Sequence, residues 1–183
     1  SQRPFFGKRG GITVSGGEPL LQAKALIPFF KMLKEEGFNT CIDTNGSILN
    51  ESVKELMQYT DLVLLDVKEF NEEAHRQLIG ASNKATLRMA EYLHAINQPV
   101  WLRYVLVPGH SDKSEHLHDL GRFLQPMQNI EKLEIQPYHK LGAHKYEALG
   151  WKYELEGVEQ NTTEQLRVAK EIFSLYVNEV IVN

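Results

Sequence analysis

The sequence predicts an α/β fold built on a parallel sheet, and three observations predict it. Short runs rich in β-branched and aromatic residues alternate with longer amphipathic segments, one pair every roughly 25–35 residues, the rhythm of consecutive βα units. Two of the runs, DLVLLDV (61–67) and VWLRYVLV (100–107), are continuously apolar, which suits strands buried on both faces. Polar and charged residues gather where the strands end, in SGGE (15–18), DTNG (43–46), LDVK (65–68), RYVLVPG (103–109) and QPYH (136–139). In barrels and open α/β sheets that edge is where ligands bind.

Taken in order, strands are expected at Ile12–Ser15, Phe38–Asp43, Asp61–Val67, Val100–Val107, Lys132–Gln136 and Val177–Val182. The helix Lys24–Glu36 ends at Gly37, and Pro28 either belongs to its first turn or kinks it. Glu51–Tyr59 follows Asn50 as N-cap, and Glu72–Ile79 runs between Asn71 and Gly80. Lys84–Ile96 follows Ser82 and Asn83, and Asp112–Leu124 follows Ser111. Thr163–Tyr176 follows Thr162, with Gln165 placed for a capping box. Gly142–Gln160 is a long connection of the kind that functional loops and lids use. Residues 1–183 read as a single domain, with no linker, low-complexity stretch or repeat beyond the βα rhythm.

The 183 residues suffice for one sizeable core. Hydrophobic residues make up 42%, charged residues 24%, and mean hydropathy is −0.35, with no apolar run of membrane-spanning length. A net charge of −4 and a pI near 6.0 do not favour nucleic acid as a partner. The one cysteine, Cys41, makes no intrachain disulfide and cannot by itself hold an iron–sulfur cluster or a four-thiolate zinc site. Such cysteine usage points to a reducing cytoplasm. The chain starts at Ser1 without a signal-peptide pattern, and SQRPFFGKRG reads as the tail of a helix and a loop. The expectation is a piece of a longer protein whose start lies upstream.

The strand-end motifs carry the candidate chemistry. Gly16-Gly17 is either a tight βα turn or a place where a ligand meets the backbone. Glu18 beside them favours the ligand, since glycine leaves the backbone open and a carboxylate takes an ammonium. Asp43 is a turn residue before Asn45-Gly46 or a site residue. Asp66 and Lys68, two apart on a strand, face the same side, and their apolar neighbours favour a buried functional pair over a harmless outer one. Arg103, among Trp101, Leu102 and Tyr104, requires a partner. His139 closes QPYH and taken alone is an ordinary loop histidine. Together Glu18, Asp43 and Asp66 set against Lys68, Arg103 and His139 suit a zwitterion, its amino group on carboxylates and carbonyls and its carboxylate on the cations. In HSDKSEHLHD (110–119), His116 and His118 point away from each other on a helix and read as a solvated face rather than a metal site.

GGITVSGGEPLLQ (10–22), TCIDTNG (40–46), TDLVLLDVKEFN (60–71), VWLRYVLVPGHSD (100–112) and LEIQPYHKLGAHKYEALG (133–150) closely resemble the activating enzymes of glycyl-radical enzymes, most of all those of the pyruvate formate-lyase type. These are radical S-adenosylmethionine (SAM) enzymes, and the likeness covers nearly the whole chain in order and spacing. The resemblance implies a partial (β/α)6 TIM-like barrel, of which this chain supplies about five βα units with the first missing, that is, its C-terminal main part. It implies SAM as cofactor, its amino group at Gly16, Gly17 and Glu18, with Asp43, Asp66, Lys68, Arg103, Val105 and His139 lining the pocket. Asp43 and Asp66 are also matched to a monovalent cation site.

The family's Cys-x3-Cys-x2-Cys loop, which holds a [4Fe-4S] cluster, has no counterpart in this chain, and Cys41 cannot replace three thiolates. The chain is therefore expected to carry no catalytic residue of its own. The implied reaction of the parent protein is abstraction of a glycine hydrogen atom on a partner such as pyruvate formate-lyase by a 5′-deoxyadenosyl radical. A flavodoxin- or ferredoxin-type protein would be its reductant, and neither nucleic acid nor membrane is an expected partner. The chain alone is expected to be inactive. Tyr146, Trp151 and Tyr153 either pack or help dock the partner's glycine loop. Two other readings remain: a Schiff-base aldolase-like barrel with Lys68 as nucleophile, and a non-catalytic SAM-binding module. With its first strand missing, the edge at Ile12–Ser15 is expected to invite self-association.

Overall fold

The computed structural model describes residues 10–140, 150, 153 and 155–183. Strands β1 (Gly11–Val14), β2 (Asn39–Thr44), β3 (Leu62–Val67), β4 (Val100–Leu106), β5 (Ile130–Pro137) and β6 (Val180–Val182) form one six-stranded sheet in sequence order. Every pairing is parallel. Helices fill the crossovers: α1 (Ala23–Glu35), α2 (Glu51–Met57), α3 (Glu72–Ile79), α4 (Lys84–Ala95), α5 (Ser114–Leu124) and α6 (Thr163–Ser174). Among the described residues the sheet is an arc with β1 and β6 at its margins, a partial barrel rather than a closed one. No helix among the described residues is long and apolar enough to cross a membrane.

The two faces of the sheet differ. Along β3 and β4 burial alternates residue by residue. Val63, Leu65, Val67, Leu102, Tyr104 and Leu106 are buried, in one core with Leu56, Leu93, Leu117, Leu120 and Phe173 of the helices. The Tyr104 and Phe173 rings meet edge-to-face with centroids 5.4 Å apart. The opposite, concave face carries Cys41, Asp43, Leu62, Leu64, Asp66, Trp101, Arg103, Val105, Lys132, Glu134 and Gln136, all half-buried. The expectation of strands buried on both faces is therefore corrected. The apolar residues at Leu62, Leu64 and Trp101 look across the open arc, where no helix among the described residues covers them. Trp101 is instead capped by the Lys132 ammonium, 3.5 Å from its ring centroid.

Local signals explain most boundaries. Asn50, Asn71 and Thr162 accept from Val53, Ala74 and Gln165 backbone N–H groups, and the Thr162–Gln165 capping box is present. Gly80 closes α3 in the left-handed conformation at φ 80°. Pro28 lies inside α1, past its first turn, on the exposed side, where water can serve the carbonyl that its missing N–H leaves. Two caps differ from expectation. Ser111 does not cap α5, which starts three residues later. It is buried, its Oγ accepting from Val107 N and donating to Val105 O, both at 2.8 Å, while its carbonyl accepts from Tyr104 OH. Asn83 turns its amide to the carbonyls of Glu69 and Phe70 instead of capping α4. Strand β6 is shorter than expected because the Val177 N–H still bonds to Phe173 O at the end of α6.

Candidate functional site

The loop after β1 is held open by its glycines. Gly16 and Gly17 have φ of +94° and +53°, and nothing among the described residues lies within 4 Å of a Cβ added at either. Their backbone is exposed, and among the described residues their carbonyls accept no hydrogen bond. The Glu18 carboxylate, expected as an ammonium receptor, is largely taken up by hydrogen bonds within the chain. Oε1 accepts from Leu20 N (3.0 Å) and Thr44 Oγ1 (2.6 Å), and Oε2 from Asn45 N (2.9 Å). It caps the 3-10 turn Pro19–Gln22 and ties the β1 loop to the end of β2, leaving about one of its roughly four lone-pair positions free.

Charged side chains from three adjacent strands meet on the concave face. Arg103 stands opposite Asp66 in the β3–β4 register, and Asp43 opposite Leu64 across β2–β3. Arg103 Nη1 donates to Asp43 Oδ2 at 2.9 Å, and Ser15 Oγ donates to the same oxygen at 2.9 Å. Asp66 Oδ2 takes Lys68 Nζ at 2.8 Å, as the two-residue spacing predicts. Arg103 Nε is 3.8 Å from Asp66 Oδ1, too far to bond, and this buried N–H has no partner among the described residues. Two carboxylates and two cations thus balance formally, with the buried Arg103 Nε–H unpartnered among the described residues. Lys68 is ion-paired and about a third exposed (31%), so it lacks the apolar surroundings a Schiff-base lysine needs.

The network continues into a cleft of about 550 Å³ lined by Lys68, Val105, Val107, Tyr138, His139 and Tyr153, with the end of α3 as its far wall. That volume is ordinary for a small-molecule site. His139 is exposed at its mouth. Tyr138 and Tyr153 share a hydrogen bond of 2.6 Å between their hydroxyls. Burial and this bond push the Tyr153 phenol up to about 12. Tyr146 and Trp151 lie outside the described residues.

Sequence reasoning missed several participants. Ser15 and Thr44 are small hydroxyl residues beside the motifs, and only the sheet register shows that they bond to Asp43 and Glu18. The solvated face read from the histidines is also corrected. His116 is 11% exposed and points at Glu69, while His118 Nδ1 lies 2.9 Å from Tyr176 OH. They do diverge, as their spacing requires. Among the described residues no group of three or more His, Cys, Asp and Glu is placed to hold a metal.

The charged network lies at the C-terminal edge of an open parallel α/β arc, and comparison with known proteins gives the class. The model of the radical SAM superfamily matches residues 3–121. The pyruvate formate-lyase 1-activating enzyme of Escherichia coli (strain K12) is 45% identical over 174 residues, covering 94% of this chain and 71% of the relative. The pyruvate formate-lyase-activating enzyme of Staphylococcus aureus (strain USA300) is also 45% identical over 174 residues, covering 91% and 69%. A crystal structure of a domain of the pyruvate-formate lyase-activating enzyme from Bacteroides vulgatus superposes with TM-score 0.79 at 22% identity, over 94% of this chain and 98% of that one. Streptococcus suis SuiB bound to its precursor peptide superposes at 0.69 with 17% identity, over 94% of this chain and 38% of that one. The last two speak for the fold alone. The chain belongs to the pyruvate formate-lyase-activating enzyme family of the radical SAM superfamily.

Proposed function

We propose that this chain is the SAM-binding body of an activase that generates a glycyl radical on a partner of the pyruvate formate-lyase type. Family membership carries the reaction class, and one observation carries the cofactor: the network at Asp43, Asp66, Lys68 and Arg103 is open where a zwitterion needs it open. The half-buried Arg103 guanidinium and Lys68 ammonium offer donors, and the exposed Gly16–Gly17 backbone offers carbonyl acceptors, for the two ends of an amino acid moiety. In this reading the amino group lies against the Gly16 and Gly17 carbonyls, in a loop that Glu18 keeps in shape. The carboxylate lies against Arg103 and Lys68, where charge-assisted hydrogen bonds are strong. Val105, Tyr138 and His139 flank the nucleoside. Asp43 and Asp66 are the candidates for a monovalent cation, which would offset their charge beside a bound carboxylate.

When bound and reductively cleaved, SAM supplies the hydrogen-atom abstractor. The protein's part is to bind, orient and exclude water. An iron–sulfur cluster does not fit the residues present, since Cys41 lies within β2 and is the only thiol. A flavodoxin- or ferredoxin-type reductant and a cytoplasmic setting belong to the same proposal, as does the organisation of residues 1–183 as one domain. Equilibrium dialysis of the purified chain against labelled SAM tests it. Saturable binding at sub-millimolar concentration, displaced by S-adenosylhomocysteine, is expected, and absence of saturable binding overturns it.

A further inference from the structure

At the exit of β3 the chain alternates sides. Lys68 turns to the concave face and holds Asp66 at 2.8 Å, while Glu69 turns to the helix layer and is 0% exposed. The surroundings of Glu69 are incomplete. Its Oε1 accepts from Asn71 N at 2.8 Å and lies 3.3 Å from His116 Nδ1, on the first turn of α5. Its Oε2 is buried without a hydrogen bond among the described residues, and so is His116 Nδ1. The backbone carbonyl of Glu69 is held from a third element, by the Asn83 amide at 3.0 Å. A neutral amide would serve the Asn71 N–H equally well. A carboxylate kept fully out of water, with an imidazole as its nearest potential counter-ion, is costly unless the two act together.

We propose that Glu69 and His116 form a positioning pair for Lys68: the pair pins the β3 exit to α5 and thereby fixes the lysine that faces the SAM carboxylate. This rests on the SAM reading for its consequence, and on the geometry alone for its existence. Glu69 is the next residue after Lys68, so any shift of its peptide is transmitted to the Lys68 Cα. Anchoring through side chain and carbonyl to α5 and the start of α4 removes that freedom. Neither Glu69 nor His116 touches the concave face, so both act through Lys68.

The test uses the full chain with Glu69→Gln, His116→Ser and the double variant. Two readouts are taken: the rate at which an amine-reactive reagent labels Lys68 in the folded protein, followed by peptide mass spectrometry, and the affinity for SAM by dialysis. Each single variant is expected to speed Lys68 labelling several-fold and to weaken SAM about tenfold. The double variant is expected to be no worse than either single one, the signature of a coupled pair. His118→Ala, which loses the Tyr176 contact of the same helix, is expected to lower thermal stability and leave both readouts unchanged. Equal labelling of Lys68 in His118→Ala and the pair variants overturns the proposal, as does unchanged labelling in Glu69→Gln and His116→Ser. Should Glu69→Gln not fold, His116→Ser, at a partly exposed helix position, decides alone. If the native chain binds no SAM while labelling responds as expected, the SAM reading fails and the positioning pair stands.

Discussion

The sheet carries a cluster of charge at each end, and the two are built differently. At the N-terminal edge Asp61 accepts from Lys34 Nζ at 2.5 and 2.7 Å, from Thr40 N at 2.8 Å and from Thr40 Oγ1 at 3.1 Å. Its acceptors are filled by two elements that it joins to β3. At the C-terminal edge Asp43, Asp66, Lys68 and Arg103 are no more exposed, yet among the described residues the buried Arg103 Nε has no partner, and the Gly16–Gly17 backbone beside them is exposed. A cluster that only stabilises a fold closes on itself, because an unsatisfied buried donor is costly. The C-terminal cluster, with its unpartnered N–H, is where the proposed SAM site can be tested against the closed cluster at the other end.

The sharpest way to break this contrast is to remove the guanidinium. Arg103→Met removes the guanidinium proposed to face the ligand and leaves Asp43 without its hydrogen-bonded cation. Charge-assisted hydrogen bonds contribute about 1.5–3 kcal/mol each, so SAM affinity should fall by roughly one to two orders of magnitude. Dialysis at fixed salt measures it, and an unchanged affinity would show that the network is not the SAM site.

A smaller effect is expected at the glycines. An alanine at Gly17, with φ of +53°, costs about 1–2 kcal/mol of backbone strain and puts a methyl group into the space before the loop. Gly37, at φ +77° and equally free of neighbours, is the matched comparison after α1. Both Gly17→Ala and Gly37→Ala should lower the urea midpoint by similar amounts. Only Gly17→Ala should weaken SAM binding, by about tenfold. Equal loss of affinity in both would mean that strain alone, not occupancy of the cradle, is responsible.

How far these features were legible in the sequence follows from their range. Caps at Asn50, Asn71 and Thr162 and the terminator Gly80 act within one helical turn, and they read correctly. The Asp66–Lys68 pair is set by strand alternation alone, so it too was legible. What depended on register was not. The Arg103–Asp43 bond joins strands 60 residues apart in sequence, and the Glu18 carboxylate is taken by groups on β2 and its exit loop that no local pattern announces. Ser111 resembled a cap, but the turn at 107–111 buries it under Tyr104. The half-exposed concave face was misread because apolar content reports that a face avoids water, not what covers it. The positions around Gly16 gain their meaning from family likeness, since a glycine pair alone is equally a turn.

The smallest expected effect separates the two clusters by pH. Burial alone would push the Asp61 carboxyl up, but the Lys34 ammonium and the Thr40 N–H and hydroxyl outweigh it and hold it below the ordinary 3.8. A depressed carboxylate contributes stability that is fully present above the unfolded-state value and is lost as pH falls through the folded one. Asp61→Asn should therefore be less stable than the native chain at neutral pH by about 1 kcal/mol, a figure kept low because the pair is over a third exposed. The difference should narrow below about pH 4 and close at lower pH. Thermal melts of both proteins from pH 7 to pH 2.5 would show it. SAM affinity at neutral pH should be unaffected, because Asp61 lies at the opposite end of β3 from Asp66. A gap in stability that persists at pH 2.5 would mean that the Asp61 cluster acts through neutral hydrogen-bond geometry, and a loss of SAM affinity would mean that the two ends of the sheet are not independent.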